Sequence, residues 1–203
     1  MNVQVGHDSW TFKDGAPADV VCLAQTKDGF LWLGGPEGLF RFDGMRFEPY
    51  SSPFGDRLLS SNLYSLFAPP SGGLWIGYTS SGGFSFVDKG RVTNYPIETG
   101  TVVRFAQDRD GIVWAAVTGG LWRFDHSGWQ HIEVEWNAPT VHIMDLGFDS
   151  EGILWVLVGN FGAPKDLIYL LPGTRHFKTG GSDLSVEAFT WEPGRTVSTA
   201  PAT

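Results

Sequence analysis

The chain has 203 residues with a net charge of −8, and it is rich in glycine (27 residues) and tryptophan (nine residues). With 12 prolines, its glycine and proline content stays below the roughly 25–30% of low-complexity chains. The acidic balance and the lack of Lys/Arg clusters argue against a nucleic-acid partner, because such proteins present a basic surface.

The cysteine count and the hydropathy pattern exclude several further structural features. Cys22 is the only cysteine, which excludes an intrachain disulfide and a cysteine-based metal site. Its apolar neighbours predict a small core residue. No apolar run reaches the roughly 18–20 residues of a membrane span, and the first 15 residues lack the apolar region of a signal peptide. We therefore expect neither feature within this chain.

In chain order, the first predicted element is a lead-in at residues 1–18, where Val3, Val5, Trp10 and Phe12 suggest a strand. Four units of about 41 residues follow, and each contains the pattern Gly-x-(Leu/Val)-Trp. The pattern begins and ends at Gly29 and Trp32, Gly72 and Trp75, Gly111 and Trp114, and Gly152 and Trp155. The units cover residues 19–60, 61–100, 101–140 and 141–182, and residues 183–203 read as part of a fifth.

Each unit predicts four short antiparallel strands. Apolar residues nine and eleven positions before each Trp predict one face of a first strand, and the Trp marks the second. A Gly or Asp-Gly turn separates a third strand from a fourth, predicted at residues 45–50, 91–95, 129–134 and 174–178. Four-stranded units of this length are typical of β-propeller blades. The fold class is therefore all-β, with four blades and part of a fifth.

The repeated tryptophans have two interpretations, core packing between blades or an aromatic platform for a ligand. Their recurrence at one strand position favours packing, since each buried indole removes roughly 150–250 Å² from water.

These residues resemble the two-component regulator propeller repeat. Its pattern stands here as Asp28-Gly29-Phe30-Leu31-Trp32-Leu33-Gly34 followed by Gly38-Leu39-Phe40-Arg41-Phe42-Asp43-Gly44. The third unit matches well, and the second and fourth match in part. The segments His7-Asp8-Ser9-Trp10 and Asp14-Gly15-Ala16-Pro17 resemble the lead-in to the first blade of such proteins.

The resemblance implies a periplasmic, non-catalytic sensing module of a bacterial sensor histidine kinase, a hybrid two-component sensor or a diguanylate cyclase. A membrane anchor and an output domain would lie outside this chain. Family propellers commonly have seven blades, so the chain is expected to be either a fragment forming an open arc or a small closed ring.

Binding chemistry is better supported than catalysis. The five histidines are scattered without metal-ligand spacing, so we expect no metal and no cofactor. Loops between the second and third strands and between blades share one face of a propeller, which suits recognition of a small molecule or carbohydrate. Non-repeating residues in these loops are the candidate ligand contacts: Arg57, Glu135, Trp136, Asn137, His142, Asn160, Phe161, Lys165 and Asp166.

Two alternatives stay open. The repeat is similar to that of streptogramin lyase-like propellers, and a lyase would need a His and acidic residues around a divalent metal, for which His142 is the one candidate. The other alternative is a protein-interaction propeller that mediates homodimerisation.

Overall fold

The structure is a computed structural model that describes residues 9–80, 83–98, 100–125, 127–132, 134–140, 142–159 and 166–180. Within these ranges the regular structure is β-strand, apart from single 3-10 turns at Phe12–Asp14 and Val134–Trp136. The strands form four separate four-stranded antiparallel sheets, each with its strands in chain order. The predicted all-β propeller architecture of successive blades is confirmed.

Each sheet is one blade. Blade 1 contains β1 (Cys22–Gln25), β2 (Leu31–Gly35), β3 (Gly38–Phe42) and β4 (Phe47–Pro49). Blade 2 contains β5 (Leu63–Phe67), β6 (Leu74–Tyr78), β7 (Phe84–Asp88) and β8 (Arg91–Tyr95). Blade 3 contains β9 (Val102–Gln107), β10 (Val113–Val117), β11 (Gly120–Phe124) and β12 (Trp129–Ile132). Blade 4 contains β13 (Ile143–Phe148), β14 (Leu154–Val158), β15 (Asp166–Leu170) and β16 (Lys178–Thr179).

The core lies between neighbouring blades. Trp32 packs with Leu63 and Leu74 of blade 2, and Trp75 packs with Val102 and Phe105 of blade 3. In the same way Trp114 packs in a cluster with Ile143, Leu146 and Leu154 of blade 4. The predicted packing role of the repeated tryptophans is therefore confirmed at these three interfaces, because one sheet face alone cannot shield so large a ring from water.

In blades 1, 3 and 4 the turn before the second strand accepts a hydrogen bond from the indole of the tryptophan that follows it. In blade 3 the Asp108 carboxylate accepts from the Trp114 Nε1 at 3.1 Å and from the backbone N–H of Asp110 and Ile112. Thr26 and Asp149 accept from the indoles of blades 1 and 4 in the same way. Gly111 has a φ of +83° in this turn, a backbone conformation that favours glycine.

The first strands differ from the predicted alternation. In blades 2, 3 and 4 the residues nine and eleven before the Trp do not share a buried face, because β5, β9 and β13 each carry an irregularity where Tyr64, Val103 and Met144 lie. In blade 1, where β1 pairs in regular register, Val21 and Leu23 are both exposed. A β-bulge reverses the inward and outward order of the side chains beyond it. The fully buried residues are instead those twelve positions before the Trp, namely Leu63, Val102 and Ile143.

Predictions near the two ends of the described chain have different outcomes. Trp10 and Phe12 do not form the predicted lead-in strand, because Phe12–Asp14 forms a 3-10 turn capped by Thr11. The fourth strand of blade 4 begins at Lys178 rather than Thr174, because the Thr174 N–H and hydroxyl both donate to the Leu171 carbonyl and form a turn. The partial fifth blade at residues 183–203, together with Val3 and Val5 of the lead-in, lies outside the described residues.

Candidate functional site

A cleft of about 710 Å³ opens between blades 2 and 3. The end of β8 and the connection after it form one side, at residues 94–98. The β10–β11 turn, Trp122, Trp129 and His131 form the other side. We call it the aromatic cleft. It lies beside a loop between second and third strands and a connection between blades, the two kinds of loop that the sequence indicated for recognition.

The β10–β11 turn gives the cleft a fixed edge. Thr118 donates to the Thr101 carbonyl through its N–H at 2.9 Å and its hydroxyl at 3.1 Å, and its Oγ1 accepts from the Thr101 N–H at 2.6 Å. A Cβ on Gly120 would stand 2.3 Å from the His131 Nε2. Glycine at this position therefore lets the imidazole lie close over the strand.

Aromatic rings form the wall of the cleft. The rings of Trp122 and His131 are 5.0 Å apart, and Trp129 stacks on Phe84 of blade 2 at 4.0 Å with an interplanar angle of 17°. The Trp129 Nε1 is buried and has no hydrogen-bond partner within the described part of the chain. An unpaired buried donor of this kind costs about 1–3 kcal/mol of stability.

A chain of hydrogen bonds fixes the polar rim. The Tyr78 hydroxyl donates to Ser85 Oγ at 2.8 Å, and that hydroxyl donates to the Asn94 Oδ1 at 2.6 Å. The Asn94 Nδ2 donates to the Arg57 carbonyl at 2.9 Å. Burial raises the pKa of Tyr78 to about 12, so its hydroxyl remains a donor at neutral pH. Asn94 is thereby held in one orientation beside the exposed Glu98.

This arrangement suits binding of a small ligand that has both apolar and hydroxylated faces. Largely apolar walls with a few fixed polar groups are typical of small-molecule sites. A sugar ring has this character, because its C–H face packs on an indole while its hydroxyls exchange hydrogen bonds with amide, carboxylate and imidazole groups.

The described ranges contain no cluster of side chains suited to bind a metal ion. No group of three or more His, Cys, Asp or Glu side chains among those residues is close enough to hold a metal ion. Within the same ranges, no helix has the length and apolar character needed to cross a membrane.

The residues predicted as ligand contacts do not gather in the aromatic cleft. The Arg57 side chain is exposed, and only its carbonyl reaches Asn94. Exposed His142 and Asp166 lie at the same end of blade 4, where the His142 carbonyl accepts from the Gly159 N–H and Asp166 pairs with Val158.

The predicted residues of the connection between blades 3 and 4 pack along that interface. Half-buried Trp136 lies 6.2 Å from Trp114, and its carbonyl accepts from the Phe177 N–H at 2.8 Å. The Asn137 Nδ2 donates to the Phe177 carbonyl at 3.3 Å. Glu135 is exposed. The remaining predicted contacts, Asn160, Phe161 and Lys165, lie outside the described residues.

Sequence reasoning missed Trp122, Trp129 and His131, although a signal was present. Trp122 and Trp129 are tryptophans outside the repeating position, and both belong to blade 3. At the register position of Trp122, blade 1 has Phe40 and blade 2 has Ser85. A large ring that departs from the repeat marks this blade as different.

Comparison with known proteins identifies one sequence repeat. The sequence model described as "two component regulator propeller" matches residues 14–37. No curated protein matches the chain.

Three solved structures illustrate the fold. The extracellular domain of a protein described as a hybrid two-component system from B. thetaiotaomicron is 18% identical, with a TM-score of 0.70 over 88% of this chain and 27% of that chain. A second extracellular domain from the same organism, described as a one-component system, is 18% identical, with a TM-score of 0.58 over 82% and 30%. Virginiamycin B lyase from Staphylococcus aureus is 16% identical, with a TM-score of 0.59 over 79% and 55%.

The chain spans between 27% and 55% of the length of these structures. At such identities the likeness establishes the propeller fold, which sensors and enzymes share. The match confirms the resemblance read from the sequence: residues 14–37 match the two component regulator propeller repeat, and the β-propeller fold is similar to that of the extracellular domains named above.

Proposed function

We propose that this chain is a non-catalytic ligand-sensing part of the extracytoplasmic, periplasmic propeller of a bacterial two-component sensor. Its ligand is a small, uncharged, hydroxyl-rich molecule such as a carbohydrate, and it binds in the aromatic cleft. The observation that supports this proposal is the convergence of Trp122, Trp129 and His131 on one cleft.

The chemistry of the cleft favours binding over turnover. The stacked Phe84 and Trp129 rings are already ordered and lose little freedom when a ligand binds. Sensing requires reversible occupancy that stabilises one conformation, and a preformed cleft between two blades couples occupancy to their packing.

The test is a thermal-shift screen of neutral oligosaccharides, followed by calorimetric titration of those that raise Tm. Binding of a ligand to the folded state raises Tm by an amount that grows with the logarithm of the ligand concentration above Kd. We expect Trp122→Ala and His131→Ala each to weaken binding at least tenfold. Trp10→Ala is the matched control, since Trp10 is exposed in the lead-in, and it should bind as the unaltered protein does.

Two results would contradict the proposal. One is unchanged affinity in both cleft variants. The other is chemical conversion of a bound compound, tested by mass spectrometry and including incubation with a lactone antibiotic, because the lyase of similar fold is an enzyme.

A further inference from the structure

A second cleft, of about 420 Å³, lies between blades 3 and 4. It is lined by Trp114 of β10, by Trp136 of the connection between the blades, and by Arg109, Arg123 and Arg175. We call it the arginine cleft. It shares no lining residue with the aromatic cleft, so the two can be tested independently.

The corresponding space between blades 1 and 2 shows how this cleft departs from the repeat. In blade 1, Arg41 lies opposite Trp32 on one side and Glu48 on the other, and it forms an ion pair with Glu48 at 2.8 Å. In blade 3, Arg123 lies opposite Trp114 in the same register, but the residue across from it is Gln130. The arginine is kept, while its cross-strand carboxylate has become an uncharged amide.

Arg123 is accordingly left with unused hydrogen-bonding capacity. Its Nε is buried and has no partner among the described residues, and its guanidinium carbon lies 5.8 Å from the centre of the Trp114 ring. The neighbouring Asp125 carboxylate accepts instead from Ser127 and from the Gln130 Nε2 at 2.7 Å. A guanidinium offers a planar fork of donors that matches a carboxylate, and here that fork faces a cleft.

Arg109 and Arg175 form no ion pair with a carboxylate in the described part of the chain. Arg123 forms none there either, although hydrogen bonds from Ser127 and, to a smaller extent, the nearby charge of Arg123 lower the pKa of Asp125. Arg109 donates to the Ser150 carbonyl across the blade interface, and Arg175 lies over the Trp136 ring at 5.7 Å. Neither contact neutralises its charge, so both contribute positive potential at the cleft.

Acidic groups line the cleft as well, and they limit the charge of an occupant. Asp108 is committed to the Trp114 indole and to backbone N–H groups. Asp110 and Glu151 are exposed, and among the described residues neither forms an ion pair with Arg123. Their negative charges disfavour a multiply charged oxyanion more strongly than a monoanion.

We propose that the arginine cleft is a binding site for a small monocarboxylate with an apolar or ring-shaped remainder. The carboxylate pairs with the Arg123 guanidinium, and the remainder packs against Trp136. Because its cross-strand neighbour is the uncharged Gln130, Arg123 lacks the opposing carboxylate that Glu48 supplies to Arg41.

The experiment uses benzoate as the probe and benzamide as its neutral counterpart, and it follows the tryptophan indole N–H signals by NMR. We expect benzoate to shift the signals of Trp114 and Trp136 in a saturable way, and benzamide to leave them in place. Arg123→Gln should weaken benzoate binding at least tenfold. Gln130→Glu should do the same while keeping the arginine, because it restores the carboxylate partner found in blade 1.

Glu48→Gln is the matched control, since it makes the reverse change on blade 1 and should leave the Trp136 response to benzoate unchanged. The variants are compared only where the indole spectra of the remaining tryptophans match the parent. Equal responses to benzoate and benzamide, or undiminished benzoate binding in folded Gln130→Glu, would overturn the proposal. A response to sulfate as strong as that to benzoate would overturn the assignment to a carboxylate.

Discussion

Replacement of Trp75 by alanine tests the packing of the blades most directly. The side chain is 3% exposed and lies at the centre of an aromatic cluster that joins blades 2 and 3. Ring centres within 6.5 Å belong to Phe86, Phe124, Trp129, Tyr95 and Phe105. A buried indole removes roughly 150–250 Å² from water, which at ~25 cal/mol per Å² gives a gross gain of about 4–6 kcal/mol. Because neighbouring rings relax only in part, we expect a loss of about 3–5 kcal/mol on truncation.

Urea and thermal unfolding, monitored by circular dichroism, measure this loss. For a chain of this size each kcal/mol corresponds to roughly 2–4 °C in Tm, so the expected decrease is about 6–20 °C. Trp10→Ala removes the same side chain from a position that is 42% exposed and should cost far less. If Trp75→Ala were no more destabilising than Trp10→Ala, the blade interface would not be the source of stability.

Three further changes test local features. Asp108→Ala removes the acceptor for the Trp114 indole and for two backbone N–H groups. Urea unfolding should therefore show a loss of about 1–3 kcal/mol in the free energy of unfolding. An unchanged midpoint would show that these hydrogen bonds do not stabilise the blade. Gly77→Ala places a Cβ 2.5 Å from the Val102 Cβ and should cost about 1–3 kcal/mol through overpacking, whereas a neutral effect would show that blades 2 and 3 are less closely packed. Burial raises the pKa of Cys22 and of Tyr78 to about 12. The unfolded chain releases these protons first, so stability is full below pH 9 and falls between about pH 9 and 12, and a Tm that stays constant from pH 8 to 11.5 would contradict it.

The blades were predictable because each has one large ring at one register position. Trp32, Trp75 and Trp114 each fill a space between sheets, and a space that recurs once per blade imposes an equal spacing in the sequence. The turns were predictable for a similar local reason. Gly29, with a φ of +92°, needs a conformation that few other residues adopt.

The inner strands and the clefts were not predictable, because their features depend on neighbouring sheets. In β5 a bulge buries Leu63 and exposes Tyr64. The spacing of apolar residues in the sequence does not reveal this bulge, because both residues are apolar or aromatic. Likewise, the connection that carries Trp136 lies in a loop of the sequence, yet it packs against Trp114 in the interior of an interface. Loop position indicated an exposed contact residue, and packing made it part of a cleft wall.

Differences between blades are informative because the register of the sheets is the same in all of them. A residue that packs a blade recurs, since every interface has a similar space to fill. Where equivalent positions differ in chemistry, as Glu48 differs from Gln130 or Phe40 from Trp122, stability of the repeat does not account for the change. Both changes occur in blade 3, and each alters a different cleft beside it. Blade 3 thus contributes to both proposed binding sites, and it carries Trp129 and Arg123, whose buried nitrogens have no partner among the described residues.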